Sequence, residues 1–117
     1  PVLSNPVPSD GVTVTPGSSG QVLTITHTGA TGGTFYYDDD NVIHFNTAAT
    51  ISGNTLTVTI PYQVHQMDDG TNPNHDGTNY WYVEATNAAG TTRYPPSGLL
   101  EFTVVPTPTE TISVGIQ

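Results

Sequence analysis

Apolar residues recur at every second position through most of this chain, and that period leaves little choice of fold. "QVLTITHT" (21–28) puts Leu23, Ile25 and His27 on one face with threonines opposite. "NTLTVTIP" (54–61) does the same with Leu56, Val58 and Ile60, and "LLEFTVV" (99–105) with Leu100, Phe102 and Val104. "NYWYVEAT" (79–86) sets Trp81, Val83 and Ala85 against Tyr80, Tyr82 and Glu84. Side chains alternate across a strand, so these segments are strands with one face buried and one solvated. "GVTVT" (11–15) aligns Val12 with Val14 in the same way. "GGTFYYDDD" (32–40) and "NVIHFNT" (41–47) read as two more strands, joined by a turn over Asp38 to Asn41. No segment shows helical periodicity. Short alternating strands separated by glycine- and proline-rich turns predict an all-β, antiparallel β-sandwich of about seven strands.

At 117 residues the chain has room for one modest core. Ten carboxylates face a single basic residue, Arg93, for a formal net charge of −9. That balance argues against nucleic acid, whose phosphates call for clustered Lys and Arg, and against an anionic membrane surface. No apolar run approaches the roughly 20 residues that span a bilayer, so no membrane insertion is expected. Cysteine is absent, which removes thiol catalysis and thiolate metal sites.

The block "NYWYVEATNAAGTTRYPPSGLLEFTV" (79–104) resembles the last two strands of a fibronectin type III or related immunoglobulin-like domain. The features that carry the likeness are Trp81, Val83, Ala85, Asn87 and Gly90, followed by Leu100, Phe102, Val104 and Pro106. The opening "NPVPSDGVTVTP" is similar to the first strand of such domains, so the resemblance spans residues 3 to 105. Three positions depart from the pattern. His27 stands where a core tryptophan is common, Asn79 where a corner tyrosine is common, and the connection before residue 79 is long. The resemblance implies an immunoglobulin-like (fibronectin type III-like) sandwich over 1–105, of the sort found in microbial extracellular or surface proteins. Residues 106–117, "PTPTETISVGIQ", begin as a proline-alternating linker and end in an alternation of Ile112, Val114 and Ile116. They are expected to form a linker or an edge strand for assembly.

Three places invite a chemical role. The polar connection holds Asp68, Asp69, Asn72, Asn74 and Asp76, hard oxygen donors of the type calcium takes. Asn72, Asn74, Asp76 and Gly77 fit the first half of a twelve-residue calcium loop, but its closing Glu would fall on Val83, a core position. The competing reading is a solvated insertion whose Asn, Asp and Gly serve turns. The Asp38-Asp39-Asp40 triplet poses the same choice: alternation separates Asp39 from its neighbours, so convergence on a cation needs a bend. The four histidines, at 27, 44, 65 and 75, show no zinc-ligand spacing. Tyr80 and Tyr82, with Tyr36 and Tyr94, form a candidate partner face, where tyrosine can stack a sugar, bury against protein or support the sheet.

No Lys, no GxSxG and no Cys–His pair is present, so no enzyme signature emerges. The sequence is read as a non-catalytic extracellular or cell-surface module acting as spacer, adhesion or assembly unit. Its expected partners are protein, in neighbouring domains or subunits. A carbohydrate-binding module using the exposed tyrosines is the alternative, and calcium is the one cofactor the chemistry admits.

Overall fold

The computed structural model describes residues 1–17, 20–61 and 77–105. Over these it is all β, with ten strands: β1 (Val2–Val7), β2 (Val12–Val14), β3 (Gln21–Thr28), β4 (Gly32–Asp38), β5 (Phe45–Ala48), β6 (Thr50–Ser52), β7 (Thr55–Ile60), β8 (Gly77–Asn87), β9 (Gly90–Tyr94) and β10 (Leu100–Val104). A four-stranded sheet runs β1-β3-β7-β6, and a six-stranded sheet runs β2-β10-β8-β4-β5 with β9 also on β8. These orders correspond to the A-B-E-D and G-F-C-C′ arrangement of immunoglobulin-like sandwiches.

The inward residues are those that the alternation marks. Leu23, Ile25, Leu56, Ile60, Phe35, Trp81, Val83, Ala85 and Phe102 form the fully buried centre, and the Phe35 and Trp81 rings stack at 5.9 Å. His27 is buried with them, and its ring closes the strand end. Nδ1 accepts the Ala30 N–H at 3.2 Å, while Nε2 lies 3.0 Å from the Gly53 carbonyl oxygen. β2 departs from expectation: Val14 packs against the core, but Val12 is exposed.

Ten strands replace the expected seven because three stretches are each split in two, and two of these cross between sheets. The first strand pairs with β3 as β1, then crosses over and pairs parallel to β10 as β2. The last strand pairs with β8 as β9, leaves it over residues 95–99, and returns as β10. Residues 45–52 pair with β4 as β5 and with β7 as β6. Both lateral edges of the sandwich are therefore straddled by chain that belongs to both sheets, which shortens the free edges open to unwanted pairing.

The crossing at 49 depends on a close approach. The Ala49 N–H donates to the Gly33 carbonyl at 2.9 Å. A Cβ at Gly33 would stand 2.9 Å from the Glu84 carbonyl oxygen and 3.2 Å from Leu56 Cδ1. Gly20 is tighter still: its φ is +123°, and a Cβ there would lie 2.2 Å from the Ile60 carbonyl oxygen. Replacing Gly33 by Ala should cost about 1–3 kcal/mol as the neighbouring β8 backbone and the Leu56 side chain are forced to shift. A chemical-denaturation midpoint unchanged in Gly33→Ala would contradict that packing.

Candidate functional site

The charged turn after β4 is the densest group of ionisable side chains among the described residues. Tyr37 faces the core, so Asp38 falls on the outer face of the six-stranded sheet, opposite Tyr80. The chain then bends over residues 39–44 before β5 begins at Phe45, so His44 belongs to the turn and not to a strand. The bend is closed by Asp38 itself. Its Oδ1 accepts the Asp39 N–H at 2.8 Å, and its Oδ2 accepts the His44 N–H at 2.9 Å. The His44 Nδ1 lies 2.7 Å from the same Oδ2. A carboxylate that satisfies backbone N–H groups in this way does locally what a turn's own hydrogen bonds would do.

Folding the turn back buries Asp38 to 3% exposure. Burial alone pushes its carboxyl up, but hydrogen bonds from Asp39 and His44 act the other way and prevail. Asp38 is held below the usual carboxylate range. Asp40 and His44 remain exposed, yet one ligand atom from each of Asp38, Asp40 and His44 falls within 4.8 Å of the others. This is the convergence that strict alternation forbids and a bend permits. Two carboxylates and an imidazole can hold a divalent ion, but calcium takes six to eight oxygens, so the set suits a borderline metal at least as well. The sequence signal was available as Asp-x-Asp-x-x-x-His over 38–44 and needed only the bend to be seen.

The loop donors Asp68, Asp69, Asn72, Asn74 and Asp76 lie outside the described residues, as do Ile112, Val114 and Ile116. Gly77, which follows the loop, sits beside Val104, at the pole of the sandwich toward which β4 delivers the Asp38 turn.

The tyrosines divide. Tyr36 and Tyr82 are cross-strand partners on the outer face and stack ring on ring at 4.6 Å with 9° between planes. The Arg93 guanidinium covers the other face of Tyr82 at 4.1 Å. Tyr82 is thus sandwiched, with no ring face left for a sugar. The Tyr36 hydroxyl donates to Glu84 Oε1 at 3.0 Å. Burial first, then the Glu84 carboxylate, pushes the Tyr36 phenol above its ordinary value. Tyr80 shares the outer face, opposite Asp38 and Glu101. Tyr94 does not join the group: its register partner is the buried Val83, and it packs against the core. It instead lines an open groove of about 520 Å³ with Asn5, Pro6, Pro95, Pro96 and Leu100 among others.

Arg93, the chain's single basic residue, has a structural task that composition does not reveal. Its Nη1 donates to the Pro95 carbonyl at 2.6 Å and its Nη2 to the Gly98 carbonyl at 2.8 Å. It therefore pins the excursion between β9 and β10 while stacking on Tyr82.

No protein-family model matches the chain, and no curated protein does. A crystal structure of an engineered protein from the Northeast Structural Genomics Consortium is similar in fold, with a TM-score of 0.60 and 17% identity over 90% of this chain. The chain spans 20% of that protein's length. At that identity the likeness is one of fold alone, and it agrees with a generic immunoglobulin-like sandwich.

Two outcomes are expected. Arg93→Ala should destabilise by about 2–3 kcal/mol through two charge-assisted hydrogen bonds and the lost ring contact. Arg93→Lys should recover only part, because an ammonium has no planar fork to span two carbonyls; full recovery in a thermal melt would contradict this role. For Asp38 the folded pKa lies below the unfolded one. Its stabilisation is therefore complete above the ordinary Asp value near 4 and drains away as pH falls through the folded value. Asp38→Ala should lower stability at neutral pH by about 1–3 kcal/mol and flatten the acid limb of a stability–pH profile. An acid limb identical to wild type would remove Asp38 as its source.

Proposed function

We propose that this chain is a non-catalytic structural module, a spacer or assembly unit of an extracellular or cell-surface protein. The observation that supports it is where the chain enters and leaves the sandwich. The Pro1 carbonyl accepts the Thr92 hydroxyl at 2.6 Å, and Val2 pairs with Thr28, which puts the start at the β8–β9 hairpin end. Val104 pairs with Gly77 at the opposite end, where Val105 donates to the Val14 carbonyl. Units joined in this way lengthen a protein by roughly the 35 Å span of an eleven-residue strand such as β8.

The pairing suits a load. Tension on the two ends draws β1 and β10 in opposite directions along their own axes. It loads the antiparallel β1–β3 ladder and the parallel β2–β10 ladder lengthwise, so their hydrogen bonds must yield together and not one at a time. The chemistry is consistent with such a role, since Arg93, Glu84, Asp38 and His44 all engage neighbours within the fold. A fibronectin type III-like surface module, with neighbouring domains or subunits as partners, is the finer reading that the sequence resemblance favours. The stacked and covered Tyr82 gives a carbohydrate platform no support.

Single-molecule pulling through the two ends tests the proposal. Unfolding should occur in one high-force step, and Val14→Pro, which removes an N–H from the β2 ladder, should lower that force markedly. A low force that Val14→Pro does not change would overturn the load-bearing spacer.

A further inference from the structure

Two tyrosines stand two residues apart on the outer face of β8, and their neighbours differ in kind. Tyr82 lies between the Tyr36 ring, at 4.6 Å, and the Arg93 guanidinium, at 4.1 Å. Tyr80 lies one row along, opposite Asp38 on β4 and Glu101 on β10. Among the described residues no ring, guanidinium or hydrogen bond engages the Tyr80 side chain. The Glu101 carboxylate is exposed and likewise unengaged.

The row Glu101–Tyr80–Asp38 therefore sets a half-buried aromatic ring between two negative charges. Strand spacing puts the Cα of each carboxylate residue about 5 Å from that of the tyrosine. Asp38 keeps its charge although buried, because the Asp39 and His44 N–H groups satisfy its oxygens. Asp39 and Asp40, next in the turn, extend the negative field beyond it.

We infer that this row is a docking site for an arginine side chain carried by a segment of a different protein. Charge complementarity selects the occupant. The chain's single basic side chain, Arg93, is already committed to Tyr82 and to the Pro95 and Gly98 carbonyls. A second copy brings the same committed Arg93, so the cation comes from another chain. His44, which can also carry positive charge, is held by Asp38 at 2.7 Å. A guanidinium fits better than an ammonium, because it lies flat on a ring while its edge reaches a carboxylate. Arg93 on Tyr82 shows this face accepting that contact one row away. The Cα atoms of Asp38 and Glu101 stand about 10 Å apart with the ring between them, which suits a stacked cation better than one shared metal ion. The row also lies outside the groove beside Tyr94, so a free small cation would find little to enclose it.

One such side chain binds weakly, since an exposed cation–ring contact and a rim ion pair each change affinity only severalfold. Further arginines in the same segment add to it, and salt weakens it by screening. The field of a molecule of net charge −9 speeds the approach of a basic segment. The inference gives the module a partner chemistry but does not rest on its tension-bearing ladders. Peptide binding and unfolding force are separate measurements, and either can fail alone.

The test titrates the isotope-labelled 117-residue chain with a capped peptide of alternating arginine and threonine, following amide shifts. The lysine–threonine peptide of equal length is the comparison. Saturable shifts should map to Tyr80, Glu101 and Asp40 and weaken with salt, and the lysine peptide should bind about threefold more weakly. Tyr80→Thr should weaken binding about fourfold. Tyr80→Phe should leave it unchanged, because the guanidinium meets the ring and not the hydroxyl. Glu101→Gln should weaken it about threefold, whereas Glu110→Gln, which removes the same charge elsewhere, should not. If Tyr80→Thr fails to fold, Glu101→Lys at its exposed position takes its place and should abolish binding. A chain silent to millimolar peptide overturns the inference, as does a lysine peptide that binds equally well. Equal losses in Glu101→Gln and Glu110→Gln would reduce the effect to net charge and overturn it too. Calcium chloride that reproduces the shifts at Tyr80 and Glu101 and displaces the peptide would give the row to a metal ion and overturn it equally.

Discussion

The hold of Arg93 on the Pro95 and Gly98 carbonyls is the contact on which the most other structure depends. The same edge of β8 is occupied first by β9 and then by β10, and between them five residues must leave and return in register. If the return slipped by one residue, Leu100, Phe102 and Val104 would turn outward and Glu101 and Thr103 inward. β2 would then lose its partner, because it pairs only with β10 among the described strands. One guanidinium thus helps to hold the register of the last strand, the seat of the first strand's second half, and the core positions of Leu100, Phe102 and Val104. That a chain so acidic keeps its single cation here follows from geometry. Two carbonyl oxygens and a ring face are best met by a flat, forked, permanently charged group.

A net charge of −9 on so small a domain would strain any compact state if the carboxylates were clustered at random. The fold spreads the cost. Asp38 is buried where backbone N–H groups stabilise its charge, Glu84 accepts a tyrosine hydroxyl, and Glu101 is exposed. Among the described residues, the strands of one sheet carry charged side chains and those of the other carry no Asp, Glu, Lys or Arg.

The sequence alone conveyed what depends on period two. β3, β7, β8 and β10 bury the residues that alternation assigns to them, and Trp81 sits at the centre. What it did not convey depends on events between strands. The first strand carries a register shift between Ser4 and Val7, where Asn5 takes a φ of +53°, and then leaves β3 for β10 over residues 8–11. Alternation has no term for such a bulge. Likewise "NVIHFNT" reads as one strand, but His44 is drawn into the turn by Asp38 and only the residues from Phe45 onward pair. Residues 45–52 serve both sheets, β5 on β4 and β6 on β7, a crossing that alternation does not mark. Tyr94 reads as part of the connection before the last strand, free to join Tyr36 and Tyr82, whereas register places it on β9 opposite Val83 and it packs against the core.

The candidate metal group follows the same logic, since Asp38, Asp40 and His44 converge only after the turn has formed. Asp38 already spends both oxygens on closing that turn, so a cation arriving there would share a carboxylate that is in use. The order of events matters for any effect on stability: a cation binding this group would stabilise the folded chain without being required to build it. Occupancy would therefore add to the melting temperature by mass action and would leave the strand order untouched. The fold comes first here, and any ligand chemistry is a consequence of where its turns happen to close.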